Sequence, residues 1–91
     1  MKIKFFATYR EITKCKEAYI PTQPDVWSLL HYLSGVYGPE MKAKLFTADG
    51  NDIGQDAILL INGRNIAHLG GKNAPILDTD TISLFPMVAG G

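Results

Sequence analysis

Apolar and polar side chains alternate over the first nine residues, which is the pattern of a β-strand with one covered face. The apolar set on the covered face is Ile3, Phe5 and Ala7. The other face carries two lysines and Phe6, so an aromatic ring stands where a polar side chain is expected. Residues 16–20 predict a second strand, which pairs with the first as a hairpin.

The clearest helical spacing follows Asp25, where apolar residues recur at the three- and four-residue intervals of one helical face. These residues are Val26, Leu29, Leu30, Leu33, Val36 and Tyr37. Asp25 is predicted to cap the helix, because its carboxylate can accept hydrogen bonds from the free amides of the first turn. Gly38 ends this helix, and Pro39 opens a short second helix that continues to Leu45.

Three further strands are predicted in the second half of the chain. The continuous apolar run 57–61 is typical of an inner strand covered on both faces, and Asn62-Gly63 is a hairpin-turn signal. Residues 64–69 are then the returning strand, and residues 81–85 form the last strand. The order of elements predicts an α+β domain over residues 1–85, in which one main helix covers one face of a mixed sheet.

Composition excludes several classes of function. The chain has 91 residues, enough for one domain, and its nine basic residues balance nine acidic ones. A neutral domain lacks the positive charge that nucleic-acid binding requires, and no apolar run approaches the roughly 20 residues of a membrane span. Cys15 is the only cysteine, and neither metal-ligand spacing nor a nucleophile with a base is visible. Because no secretion leader is recognised, we expect a cytoplasmic protein.

The last six residues carry the most distinctive chemistry of the chain. Pro86 discourages continuation of the last strand, so residues 86–91 are predicted to be a flexible tail that reaches about 20 Å when extended. The tail consists of Pro86, Met87, Val88, Ala89, Gly90 and Gly91. Because Gly90 and Gly91 lack side chains, the backbone can enter a slot that is too narrow for any other residue and present a carboxylate there.

Phe6 and Phe85 are predicted to form a docking patch for partner proteins. In their strands, both residues lie on the face away from the main helix. If the first and last strands are neighbours, the two rings lie together near the root of the tail. Aromatic residues are favoured anchors of interfaces, although a second small core under a loop would also explain the pair.

Two segments of the chain resemble one known family. The opening Ile3–Ala7, followed by Arg10-Glu11, and the closing Leu77–Gly91 are similar to molybdopterin synthase small subunits. This resemblance to the MoaD/ThiS sulfur-carrier family runs over the whole chain and implies a ubiquitin-like β-grasp fold. Met87 departs from the pattern, because family members often carry a second proline there. The length of segment 62–71 favours the molybdopterin branch over the thiamine branch.

The resemblance implies that the tail takes part in sulfur transfer. An ATP-dependent adenylating enzyme related to ubiquitin activation would adenylate Gly91, and a sulfur donor protein would then replace AMP to give a thiocarboxylate. Inside the large subunit of molybdopterin synthase, this sulfur would attack a precursor pterin and build the dithiolene that holds molybdenum or tungsten. No cofactor is expected to stay bound to the chain, and the catalytic side chains are expected on the large subunit.

Two alternatives remain open at this point. Within the same class, the chain could carry sulfur for thiamine synthesis or tRNA thiolation, or it could be a ubiquitin-like modifier that is joined to lysines. In a different class, it could be a non-covalent ubiquitin-like interaction module whose Gly91 is never activated.

Overall fold

A five-stranded mixed sheet and the helices packed against it form the framework of the protein. The computed structural model describes residues 1–87 of the chain. In chain order the elements are β1 (Lys2–Phe5), α1 (Thr8–Thr13), β2 (Glu17–Tyr19), α2 (Val26–Tyr37), α3 (Pro39–Leu45), β3 (Ile58–Ile61), β4 (Arg64–Asn65) and β5 (Thr81–Phe85). Two short 3-10 helices, Ile66–His68 and Gly71–Asn73, lie between β4 and β5.

The last strand lies in the middle of the sheet. The strand order is β2-β1-β5-β3-β4, and β5 runs parallel to β1 and antiparallel to β3. The predicted hairpin of β1 with β2 is present as an antiparallel pair. Parallel pairing of strands from opposite ends of the chain is the β-grasp arrangement, so the predicted α+β class and the β-grasp fold are confirmed.

One continuous apolar core fills the space between the sheet and the helices. The main helix α2 contributes the fully buried side chains Val26, Leu29, Leu30 and Leu33. The Asp25 carboxylate accepts the backbone amide of Ser28 at 2.8 Å, which confirms the predicted N-cap. Gly38 separates α2 from α3 with φ at 93°, a conformation that glycine adopts without the steric cost of a side chain.

The first strand is shorter than predicted, because the chain reverses direction after Phe6. Ala7 has φ of 52° and ψ of −122°, and α1 begins at the next residue. Tyr9 then enters the core, where it is fully buried and its hydroxyl donates to the backbone carbonyl of Asp56. A helix of six residues has too few apolar positions to give a recognisable spacing, which is why alternation over residues 1–9 indicated a single strand.

The predicted strand 64–69 is wrong beyond Asn65. The Asn65 side chain accepts the backbone amide of Ala67 at 2.9 Å, which caps a 3-10 helix instead of continuing the ladder. Ile66 is buried in that helix and joins the main core. A local side-chain hydrogen bond therefore overrides the strand pattern, because it offers the backbone another partner.

Gly54 lies against the end of α3 and has no room for a side chain. A Cβ atom there would lie 2.9 Å from the carbonyl oxygen of Lys44 and 3.0 Å from that of Phe46. The Gly54 amide also donates to the carbonyl of Leu45 at 2.8 Å, so the backbone cannot move away freely. We predict that Gly54→Ala lowers the free energy of unfolding by about 1–3 kcal/mol, measured by urea denaturation.

The matched control for this substitution is Gly35→Ala in α2. No atom lies within 4 Å of a Cβ built at Gly35, and the residue is in the interior of the helix. Alanine there is expected to raise the free energy of unfolding by about 0.5–1 kcal/mol, because glycine loses more backbone entropy in a helix. A Gly54→Ala variant as stable as the wild type would contradict the close packing at this turn.

Candidate functional site

The root of the C-terminal segment is held at the centre of the sheet. Phe85 pairs with Ile58 of β3, and Leu84 pairs with Phe5 of β1. β5 is therefore paired on both sides as far as Leu84, and Phe85 keeps its partner in β3. Pro86 is half-buried and 53% of the Met87 side chain is exposed.

The four residues that follow are part of the predicted tail but lie outside the described residues. They are Val88, Ala89, Gly90 and Gly91. The division of the chain into a domain at residues 1–85 and a flexible tail at residues 86–91 therefore stays a prediction.

Phe6 and Phe85 are stacked on the face of the sheet that points away from the main helix α2, which we call the open face. Their ring centroids are 4.2 Å apart and their planes differ by 12°. The Phe6 amide donates to the carbonyl of Leu84 at 3.2 Å, which extends the parallel ladder by one residue and brings the two rings side by side. The predicted proximity of these rings is confirmed, and both side chains are half-buried.

Strand β3 adds two more apolar side chains to the same face. Ile58 and Leu60 are half-buried and alternate with buried Leu59 and Ile61. The prediction that this strand is covered on both faces is wrong for the described residues, because Ile58 and Leu60 keep part of their surface in solvent. The continuous apolar run instead supplies an apolar surface outside the core.

We call the surface formed by Phe6, Phe85, Ile58 and Leu60 the tail-root patch. Phe85 and Ile58 are direct partners across the β5–β3 ladder, so their side chains share a face. Leu60 is the partner of Ser83 two positions further along the same ladder. Contiguous apolar surface of this kind, beside the point where a chain segment leaves the domain, is typical of an interaction site.

Two basic side chains border the tail-root patch. The Arg10 guanidinium carbon is 5.9 Å from the centroid of the Phe6 ring, and its Nε donates to the carbonyl of Phe5 at 3.4 Å. Lys4 pairs with Ser83 on the open face. The sequence pattern does not predict this position of Arg10, because the six-residue helix that brings it over Phe6 is too short to give a recognisable spacing.

The other half of the open face is polar. Lys2 and Glu17 form an ion pair at 3.1 Å, and the hydrogen bond from Lys2 to Glu17 raises the pKa of the lysine. Tyr19 is the register partner of Lys2 on the edge strand, and 78% of its side chain is exposed. The sheet therefore presents an apolar half at the tail root and a charged half at the opposite end.

The remaining candidate residues lie away from the tail-root patch. His31 contacts the rings of Trp27 and Phe46 on the helical side, with ring centroids 5.1 Å and 4.8 Å away. An open depression of about 570 Å³ beside α3 has Lys42 and Asp49 among its lining residues, but no member of the patch. Within residues 1–87, no group of three metal-ligating side chains comes together, and no helix is long and apolar enough to cross a bilayer.

Comparison with known proteins assigns this architecture to a class. A β-grasp sheet that carries its C-terminal segment on the central strand is the arrangement of the ubiquitin-like carriers and modifiers. Residues 3–91 match the ThiS family, so the chain belongs to this family of sulfur-carrier proteins and related ubiquitin-like modifiers.

Two relatives are similar in sequence over nearly their whole length. Small archaeal modifier protein 3 of Haloferax volcanii is 34% identical, in an alignment that covers 100% of this chain and 98% of the relative. The solution structure of small archaeal modifier protein 1 from Methanosarcina acetivorans is 33% identical, covers 99% of this chain and 94% of that one, and superposes with a TM-score of 0.81.

A third similar structure supports the fold alone. A putative molybdopterin converting factor subunit 1 from Pyrococcus furiosus is 22% identical, with coverage of 96% of this chain and 95% of that one, and has a TM-score of 0.70. The comparisons therefore establish the family of sulfur carriers and ubiquitin-like modifiers.

Tyr9 anchors α1 in the core and makes the stability of the fold depend on pH in the alkaline range. Burial raises the pKa of the Tyr9 hydroxyl above its ordinary value of 10.0, and Asp56 contributes in the same direction. A raised pKa in the folded state stabilises the protein below pH 10 and withdraws that contribution as pH rises above it. We predict that wild-type stability falls as the pH rises above about 10, and that Tyr9→Phe flattens this fall.

The Tyr9→Phe variant should also lose about 1 kcal/mol at pH 8, because the Asp56 carbonyl loses its hydroxyl donor. Urea denaturation of both proteins at each pH measures the difference in their free energies of unfolding. The lysines titrate in the same way in both proteins, so their contribution cancels in this difference. Parallel pH profiles for the two proteins would show that Tyr9 does not carry the alkaline effect.

Proposed function

We propose that the chain is a sulfur carrier whose Gly91 carboxyl group is activated by a partner enzyme. A carboxylate oxygen of Gly91 attacks the α-phosphate of ATP on an ATP-dependent adenylating enzyme, and pyrophosphate leaves. Sulfur at the oxidation level of sulfide, delivered by a sulfur donor protein, then attacks the carbonyl carbon. A C–S bond forms, the bond to the AMP oxygen breaks, and a thiocarboxylate remains on Gly91.

The observation that carries this proposal is an apolar patch at the root of a segment that ends in Gly-Gly. The patch surrounds Phe85, the last residue of a strand paired on both sides. Six residues separate Phe85 from the end of the sequence, which span about 20 Å when extended. A partner that binds the patch can therefore receive Gly91 in a buried active site while the domain stays outside.

The composition of the patch defines the partner surface that fits it. The stacked rings of Phe6 and Phe85 require an apolar recess, and a partner carboxylate would complement Arg10 and Lys4 at its border. Pro86, Met87, Val88 and Ala89 would line the entrance to the partner's active site. Gly90 and Gly91 would pass its narrowest point, because they carry no side chains.

We propose the large subunit of molybdopterin synthase as the acceptor of the sulfur. There the thiocarboxylate sulfur would attack a carbon of a precursor pterin and form a C–S bond as a C–O bond on that carbon breaks. Water would then hydrolyse the thioester, which leaves the sulfur on the pterin and returns the carboxylate of Gly91. The large subunit would supply the pocket and the acid and base groups. The chain itself needs no resident cofactor in this scheme, since ATP is consumed on the adenylating enzyme. The cytoplasm is the expected compartment because the reaction consumes ATP and reduced sulfur.

A second candidate is a protein modifier, which the named relatives favour. Both relatives at 33–34% identity are called small archaeal modifier proteins. In that role a lysine amine would attack the activated carbonyl of Gly91, an isopeptide bond would form and AMP would leave. The activation step is the same, so the two candidates differ only in the nucleophile that receives the acyl group.

Intact-mass measurement tests the activation step. The full chain is incubated with ATP, a sulfide source and the adenylating enzyme encoded in the same genome. We expect a mass increase equal to the replacement of one oxygen by one sulfur. A variant with one alanine added after Gly91 is the control and should keep its mass. An unchanged wild-type mass would instead indicate a non-covalent interaction module.

Replacement of the two stacked rings tests the docking surface. We predict that Phe6→Ser with Phe85→Ser weakens binding to the adenylating enzyme by at least about tenfold, because buried aromatic anchors dominate interface energies. Tyr19→Ser is the matched control, since it removes an exposed aromatic ring from the other half of the same face. Binding is measured by calorimetry after thermal melting has shown that each variant is folded. Unchanged affinity in the double variant would refute the docking role.

A further inference from the structure

The turn between β1 and α1 holds a non-glycine residue in a strained conformation. Ala7 has φ of 52° and ψ of −122°, and the Tyr9 amide donates across the turn to the Phe6 carbonyl at 3.1 Å. These angles are those of the first central position of a type II′ turn, which glycine favours because it lacks a Cβ. The chain therefore keeps a methyl group where the backbone would be relaxed without one.

A second local cost lies at the next residue. The Thr8 hydroxyl oxygen is buried and has no hydrogen-bond partner among residues 1–87. A buried polar group without a partner destabilises the folded state. Two unfavourable features thus occur at the two positions that follow Phe6 in the chain.

Contacts on both sides prevent the turn from relaxing. On one side, the Phe6 amide is bonded to the carbonyl of Leu84 in the central strand. On the other side, Tyr9 is fully buried and bonded to the carbonyl of Asp56. Strained backbone persists only where its surroundings determine it in this way, and such strain is concentrated at functional sites.

The methyl group of Ala7 has a definite mechanical effect at this position. Once the surrounding contacts impose a positive φ, a residue with a Cβ has a narrow range of backbone angles, whereas glycine has a wide one. The alanine therefore fixes the direction of Phe6 relative to α1, which also carries Arg10 over the ring. A glycine would relieve the strain and loosen both groups.

We infer that Ala7 is a positioning residue that preorganises the tail-root patch for its partner, at a cost in stability. This inference rests on the proposed function, because the partner is the adenylating enzyme of that scheme. Preorganised surfaces bind more tightly since less ordering is required on association. Ala7 itself is not expected to touch the reacting atoms.

The test compares Ala7→Gly with the wild type in melting, amide exchange and activation. We expect a melting temperature equal to or above that of the wild type, faster hydrogen exchange at the Tyr9 amide, and activation efficiency lowered between about twofold and tenfold. Activation is measured as ATP–pyrophosphate exchange at limiting carrier concentration. Ala7→Ser, which retains a Cβ, should restore wild-type activation.

Two controls separate positioning from stability. Lys14→Gly relaxes another positive-φ residue, at 64°, at the far end of α1, and Thr8→Val removes the unpaired hydroxyl without freeing the backbone. Both should raise the melting temperature and leave activation unchanged.

The outcomes distinguish this inference from the proposed function. If the wild type supports ATP–pyrophosphate exchange and Ala7→Gly supports it equally well, the positioning role is overturned. If the wild type supports no ATP–pyrophosphate exchange, the proposed function fails. The amide hydrogen-exchange measurement then still decides whether Ala7 restrains the turn. Amide exchange in Ala7→Gly equal to that of the wild type would overturn that restraint.

Discussion

The pairing of β5 on both sides is the constraint on which the rest of the structure depends. Its hydrogen bonds to β1 and β3 join the two ends of the chain and place the last residues of the domain at the middle of the sheet. An edge strand would allow the C-terminal segment to fray, whereas a central strand fixes its starting point. The same ladder brings Phe6 beside Phe85. The pairing of β5 with β1 therefore both fixes the start of the C-terminal segment and assembles the apolar patch.

The two faces of the sheet differ in how far their side chains are buried. The covered face carries the fully buried residues that pack under α2, and the open face carries half-buried apolar side chains near the tail root. Apolar surface that stays exposed in the free domain contributes less to its stability than buried apolar surface does. The strained backbone at Ala7 also lowers the stability of the fold, and it lies one residue after Phe6 of the same surface.

Much of this arrangement could be predicted from the sequence because its signals are local. The Asp25 cap and the apolar spacing of α2 are properties of neighbouring residues, and so is the alternation that placed Phe6 and Phe85 on the open face. The parts that could not be predicted depend on distant contacts. The turn at Ala7 is imposed by the burial of Tyr9 against Asp56, and Arg10 reaches Phe6 only through that turn.

In the proposed function, partners recognise the chain at the tail-root patch while Gly91 reaches their active site. Backbone amide shifts of isotope-labelled full chain, titrated with the adenylating enzyme, test this most directly. We expect the largest changes at Phe6, Ile58, Leu60 and Phe85, with little change at Tyr19. Changes centred on the helical surface around Trp27, with the patch unaffected, would contradict this expectation.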